Sequence, residues 1–274
     1  MANNCMPAGL LISIEGGEGG GKSTQLRKLA QFLRDIDFHT ITTREPGGSQ
    51  GAEEIRTLLV TGEPGRWTAM TEALLHMAAR CDHLDKTVYP ALAQNAIVLS
   101  DRFFDSTFAY QGYGHGLSVA TLRKMQEAAI GTFKPHMTLL LDLPPSLGLQ
   151  RACDRHGGED RYEKMDIGFH RKLRDGFLLM AHADPTRYCV IDAAADADNV
   201  FADILYHVIS FLHQRLRPQA HAEQKAVFEE NVSHVLDTIP HGDHVRTLLE
   251  RTGSLFVNSQ SVYSSRRKAR LAAE

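Results

Sequence analysis

No apolar run in this 274-residue chain approaches the roughly 18 residues needed to span a bilayer. Its opening, MANNCMPAG, lacks the charged-then-apolar layout of a secretion signal. A cytoplasmic location and no membrane partner are therefore expected. The four cysteines, Cys5, Cys81, Cys153 and Cys189, lie far apart without a C-x-x-C pair, so neither a zinc site nor a disulfide framework is indicated. Basic excess is also missing. The net charge of −3 argues against a nucleic-acid partner, which usually shows as a basic face. No internal repeat is present.

What is present begins at Leu10. A short apolar run to Ile14 leads into Gly16-Gly17-Glu18-Gly19-Gly20-Gly21-Lys22-Ser23, which fits the G-x-x-x-x-G-K-[ST] phosphate loop residue for residue. In such a loop glycines let backbone N–H groups converge on phosphate oxygens, the lysine reaches the β and γ phosphates, and the hydroxyl holds magnesium. The ATP-binding set is therefore Gly16, Gly17, Glu18, Gly19, Gly20, Gly21, Lys22, Ser23 and Thr24. Leu26, Leu29, Ala30 and Leu33 follow at helical spacing.

Five strand-like runs, Leu10–Glu15, Phe38–Thr43, Ala96–Asp101, Met137–Leu143 and Tyr188–Asp192, alternate with stretches long enough for crossover helices. Leu74–Leu92, Ser118–Ile130, Pro145–Arg155 and Phe169–Ala181 are the helical candidates. That rhythm predicts an α/β fold of three layers, with a mainly parallel five-stranded sheet of the P-loop NTPase type. Ligands in such sheets sit beyond the carboxyl ends of the strands. An amphipathic helix through Val200, Ile204, Val208 and Leu212 closes a domain over residues 1–216. Residues 217–274 read as a C-terminal extension. It starts with the linker RPQAHA, is helical near Phe228, Val232 and Val235 and again near Val245 and Leu249, and ends in a disordered tail.

The candidate chemistry falls at strand ends. Arg44, in REPGG, closes the second strand and suits a second anion, although an Arg-Glu surface pair has the same look. The third strand ends in Asp101 and Arg102; an aspartate there commonly orients magnesium, and Arg102 is expected to point the other way in the strand, toward a phosphate or an acidic neighbour. Arg151, Arg155 and Arg161 surround Gly157-Gly158 in a segment read as a mobile flap over about residues 150–163. A nucleoside triphosphate beside a monophosphate carries about six negative charges, more than one magnesium and one lysine balance. These arginines supply the deficit. In FFDSTFAYQGYG, Ser106 and Gln111 combine a hydroxyl with an amide that both donates and accepts, which suits a base edge.

In order, EGGEGGGKST, TREPGGS, LLHMAARCDH, DRFFDSTFAYQG and DRYE resemble the thymidylate kinase family from about Leu10 to Leu212. The resemblance implies ATP-dependent phosphorylation of dTMP to dTDP, a homodimer, and ATP and dTMP as partners. It implies that Lys22 stabilises the transferred group, with Ser23 and Asp101 at magnesium. Glu18 would face the sugar 3′-hydroxyl, Arg44 and Arg102 would grip the acceptor phosphate, Arg80 would meet the thymine edge, and Ser106, Tyr110 and Gln111 would line the base. Gly19 stands where some members carry a catalytic arginine. Its absence resembles the bacterial variant, whose flap supplies that charge, here from Arg151, Arg155 or Arg161. Where the family stacks a phenylalanine on the base, this sequence has His76, which makes stacking weaker or pH-sensitive, unless the ring is simply a core residue. The extension has no counterpart in the family pattern.

Two readings compete: a monophosphate kinase of another base preference, and a nucleotide-dependent interaction module. The N-K-x-D guanine reader of GTPase switches is missing.

Overall fold

A computed structural model describes residues 9–63, 65–153, 161–215 and 222–253. Its elements are β1 (Leu10–Glu15), α1 (Lys22–Asp35), β2 (Thr40–Arg44), α2 (Gln50–Val60), α3 (Ala69–His83), α4 (Tyr89–Ala93), β3 (Ile97–Asp101), α5 (Phe104–Thr107), α6 (Val119–Ile130), β4 (Met137–Asp142), α7 (Pro145–Cys153), α8 (Ile167–Ala183), β5 (Tyr188–Asp192), α9 (Ala197–Arg215), α10 (Ala222–Leu236) and α11 (Gly242–Arg251). Two π-helical turns, Leu84–Val88 and Phe108–Gly114, join α3 to α4 and follow α5.

All strand pairs are parallel, in the order β2-β3-β1-β4-β5. Every residue of β1 is buried, as a continuous apolar strand covered on both faces must be. Side chains alternate across the sheet. Leu10, Ile12 and Ile14 join Leu139, Leu141 and the α1–α9 side, whereas Leu11 joins Val98, Phe103 and the α3–α4 side. Because β1 lies between β3 and β4, the chain leaves it at the point where strand order reverses. Such a switch opens a crevice at the carboxyl ends.

β1 and β5 match the sequence reading at both ends, while the limits of β2, β3 and β4 differ from it by one or two residues. β2 starts at Thr40 because Phe38 donates its N–H back to Leu33 O, 2.9 Å away, closing the end of α1 instead of entering the ladder. The stretch Leu74–Leu92 is not one regular helix; the π turn divides it. Helix α2 has no counterpart among the sequence-predicted elements.

Beyond α9, the helical expectation for the extension holds over its described part. Phe228, Val232, Val235, Leu236, Val245 and Leu249 are all buried in the same cluster as α1 and α9. Phe228 meets Phe38 edge-on, with ring centroids 6.1 Å apart. The linker from Arg217 to His221 and the tail from Ser254 lie outside the described residues.

Candidate active site

The loop after β1 carries the backbone shape its glycines allow. Gly16 (φ 137°), Gly19 (φ 72°) and Gly21 (φ 80°) occupy the positive-φ region that side chains disfavour. At Gly19 the constraint is also steric: a Cβ there would lie 2.0 Å from the carbonyl oxygen of Gly148 in α7. Any side chain at this position, arginine included, would have to displace α7. Gly148 answers in kind, since its own Cβ would meet the Glu18 carbonyl at 2.5 Å.

Lys22 opens α1 and is buried at 8% exposure, donating to the carbonyls of Gly16 (3.2 Å) and Gly17 (2.7 Å). Burial, then the like charge of Arg102, draws its pKa down to about 8 against the pull of Glu18 and Asp101. Ser23 donates to Asp101 at 2.7 Å. Thr24 follows in the first turn of α1, its N–H bonded to Gly21 O. A hydroxyl and a carboxylate side by side are hard oxygen donors of the kind magnesium takes, so this pair fits the expected ion. Among the described residues no cluster of three or more His, Cys, Asp or Glu could hold a metal.

Arg102 diverges from Asp101 as the sequence predicts: Asp101 accepts from Ser23 of α1, whereas Arg102 finds an acidic neighbour in Glu18. Its φ of 69° is left-handed, which turns the guanidinium back over the phosphate loop. Nη1 donates to Gly16 O and Ser106 Oγ, and Nη2 to Glu18 Oε1, each at 3.0 Å. The hydroxyl of Tyr110 donates to the same Glu18 oxygen at 2.5 Å. Burial alone would raise the Glu18 pKa, but Arg102, Lys22 and Tyr110 outweigh it and hold the group at about 2.

Beneath this layer lies Glu15, which the sequence reading passed over. Its Oε1 accepts the Phe103 N–H at 2.7 Å and its Oε2 the Ser106 hydroxyl at 2.6 Å. Desolvation first, and repulsion from Asp105 second, lift its pKa to about 8. A carboxylate closing a mostly apolar strand was the available signal.

The base-side candidates share the same wall. Arg80 is 2% exposed and is held by Glu45 (2.7 Å) and Thr107 (3.0 Å), with its guanidinium over the Phe103 ring. Gln111 Nε2 donates to Glu72 at 3.0 Å, and its Oε1 has no partner among the described residues. His76 lines the cleft beside them. Its pKa falls to about 3, first from lost hydration and then from Arg80, Arg102, Arg161 and Arg56. Lost hydration and the surrounding guanidinium charge both favour the neutral ring over the charged one. Arg44 ends β2 at the cleft edge, half exposed and paired two-pronged with Glu53 at 2.8 and 3.2 Å.

The flap arginines separate. Arg151 lies away from the cleft wall and donates to the carbonyls of Ala193 (2.8 Å) and Ala194 (3.1 Å) after β5. Arg161 lines the cleft but is 3% exposed, bound to Glu72 and to the Leu59 and Glu63 carbonyls. Arg155 and Gly157-Gly158 lie outside the described residues.

One cleft of about 850 Å³ gathers the loop from Glu18 to Ser23, Asp101 and Arg102, Arg44, and the base-side group of His76, Arg80, Ser106, Tyr110, Gln111 and Arg161. It also includes Glu45, Arg56, Thr107 and Tyr162, which sequence reasoning missed. Glu45 follows β2 and Arg56 lies within α2, and their ion-pair or carbonyl partners leave no local pattern to read.

The thymidylate kinase family profile matches residues 14–204. A thymidylate kinase of Caulobacter vibrioides is 50% identical over 199 residues, covering 73% of this chain and 95% of that protein. One from Dinoroseobacter shibae is 48% identical over 200 residues, with 73% and 96% covered. Among solved structures, the thymidylate kinase of Ehrlichia chaffeensis superposes with a TM-score of 0.60 at 31% identity, over 74% of this chain and 99% of that one.

Proposed function

The chain belongs to the thymidylate kinase family and phosphorylates dTMP to dTDP at the expense of ATP; from that premise we propose how its own residues divide the work. The glycine loop from Gly16 to Gly21, with Lys22, Ser23 and Thr24, takes the ATP phosphates. Lys22 and Arg102 stabilise the phosphoryl group in flight. Arg44 and Arg102 hold the acceptor phosphate, Glu18 the sugar hydroxyl, and His76, Arg80, Ser106, Tyr110 and Gln111 the base. The observation that carries this division is the single cleft in which the loop lysine and the base-side amide of Gln111 form parts of one wall.

Ser23 and Asp101 would hold magnesium, which when bound supplies positive charge to phosphate oxygens. The dTMP phosphate is already an anion and attacks the γ phosphorus in line, so no general base and no covalent enzyme intermediate are required. Catalysis is then positioning and charge stabilisation. Glu18 serves both ends: by pairing with Arg102 it keeps the guanidinium over the loop until a phosphate competes for it.

The catalytic unit is assigned to residues 1–216 and the extension 217–274 to bracing, since its helices join the α1–α9 core away from the cleft. A homodimer accords with α3, which turns Leu74 (55% exposed) and Met70 (39%) outward. A cytoplasmic site of action goes with this assignment; among the described residues no helix is long and apolar enough to cross a membrane. The deciding experiment is a coupled assay across dTMP, dUMP, UMP, CMP, AMP and GMP. Preference for dTMP is expected, and turnover of a purine nucleotide with none of dTMP would reject the assignment.

A further inference from the structure

One buried carboxylate in this region has no part in the steps above. Glu72, in the first turn of α3, is 1% exposed. Its Oε1 accepts from Arg161 Nη2. Its Oε2 accepts from Gln111 Nε2 at 3.0 Å and from the Tyr162 hydroxyl at 3.3 Å. Gln111 Nε2 also donates to the Tyr162 oxygen at 3.4 Å. His115 Nε2 stands 3.8 Å from the same carboxylate oxygen.

An amide can face a neighbour with either its NH₂ or its carbonyl, and a glutamine left alone turns to suit its ligand. Gln111 is not left alone. Facing Arg161, which offers only donors, the Glu72 carboxylate has only acceptors to show. Turned over, Gln111 would set oxygen against oxygen in a buried place, where an unmatched polar pair is most costly. The amide nitrogen is thereby committed to Glu72 and Tyr162. Its Oε1, buried and without a partner among the described residues, is left over in a side chain that lines the cleft.

We propose that Glu72 is a positioning residue that sets the base selectivity of the acceptor site, by locking Gln111 so that only its carbonyl oxygen is offered to the base. This rests on the reading of Gln111 as a base contact. A pyrimidine with N–H at ring position 3, thymine or uracil, supplies the donor that Oε1 lacks. Cytosine presents a lone pair at that position, and acceptor meets acceptor. Selectivity for the dioxo-pyrimidine class thus resides in the pair, because Gln111 without its carboxylate would accommodate either base.

The test is the variant Glu72→Gln, whose side chain donates as well as accepts and so frees Gln111 to turn. In a coupled assay the ratio of kcat/KM for dTMP over dCMP is expected to fall about 10- to 100-fold, the worth of one buried unmatched polar group. The ratio for dTMP over dUMP, which share the N–H, stays as it was. Equal losses on all three nucleotides, with the dTMP-to-dCMP ratio intact, would overturn the proposal and leave Glu72 a structural partner of Arg161. Should the variant not fold, ¹⁵N NMR of the side-chain amides in the native full-length chain decides instead. A locked Gln111 keeps its NH₂ protons protected from exchange with and without dTMP, and loss of that protection on adding dTMP would overturn the lock. A native chain that prefers dCMP would sink the functional reading together with this one, whereas unchanged selectivity in the variant sinks this one alone.

Discussion

The hydroxyl of Ser23 donates to Asp101 Oδ2 at 2.7 Å, joining the first turn of α1 to the end of β3 across 78 residues of sequence. Two oxygen donors from separate elements are thus already side by side at the mouth of the phosphate loop. Replacing Asp101 by Asn keeps the shape and removes the charge. The magnesium concentration for half-maximal rate is expected to rise, and kcat/KM to fall about 10- to 100-fold. A magnesium titration that superposes on that of the native enzyme would take Asp101 out of the site.

His76 stands among Arg80, Arg102, Arg161 and Arg56 with its pKa held at about 3. The unfolded chain binds a proton at this residue below its ordinary value of about 6.5, and the folded chain does not until about pH 3. Its contribution to stability is therefore complete above pH 6.5 and is lost as pH falls toward 3. Within the working range the ring does not titrate. The kcat/KM ratio of dTMP over dUMP is expected to be flat from about pH 6 to about pH 8.5, and a step near pH 6.5 that vanishes in His76→Phe would show a charged ring after all.

Gly148 lets α7 sit against the phosphate loop, its Cβ position only 2.5 Å from the Glu18 carbonyl. Gly148→Ala must push the two apart, at a cost of about 1–3 kcal/mol typical of overpacking. Because the displaced partner is the loop itself, KM for ATP should rise several-fold while KM for dTMP changes less. Thermal melting together with separate substrate titrations reads both effects. A melt and an ATP titration matching the native enzyme would show that the contact gives way freely.

Phe228 brings the extension onto the core, 5% exposed and edge-on to Phe38. Phe228→Ala is expected to destabilise the protein by about 3 kcal/mol, at the lower end for a buried phenylalanine, with kcat and KM unchanged. Removing residues 217–274 should act the same way and more strongly. A folded truncation without turnover would instead place the extension in the catalytic unit.

The phosphate loop, the five strands and the amphipathic α9 are legible in the sequence because each is a local pattern. A glycine-lysine spacing, an apolar run and a 3.6-residue period all fit within one element. Asp101 and Arg102 are legible as strand-terminal residues for the same reason. The left-handed φ of 69° at Arg102 is not, because no local pattern marks a non-glycine residue for that region.

Tertiary structure alone decided which charges are committed. Arg161 and Arg151 look alike in sequence, yet one is closed on Glu72 and two carbonyls inside the cleft and the other on the carbonyls after β5. Glu72 lies ahead of Leu74, where the sequence-predicted helix begins, and carries no signal of its own; only the approach of Gln111, Tyr162 and Arg161 makes it the centre of a network. The sequence by itself determined that nucleotide phosphates are bound and that a parallel sheet presents them. The fold determined which donors and acceptors remain uncommitted, because hydrogen-bond partners 39 or 89 residues apart meet only through packing and carry no period along the chain.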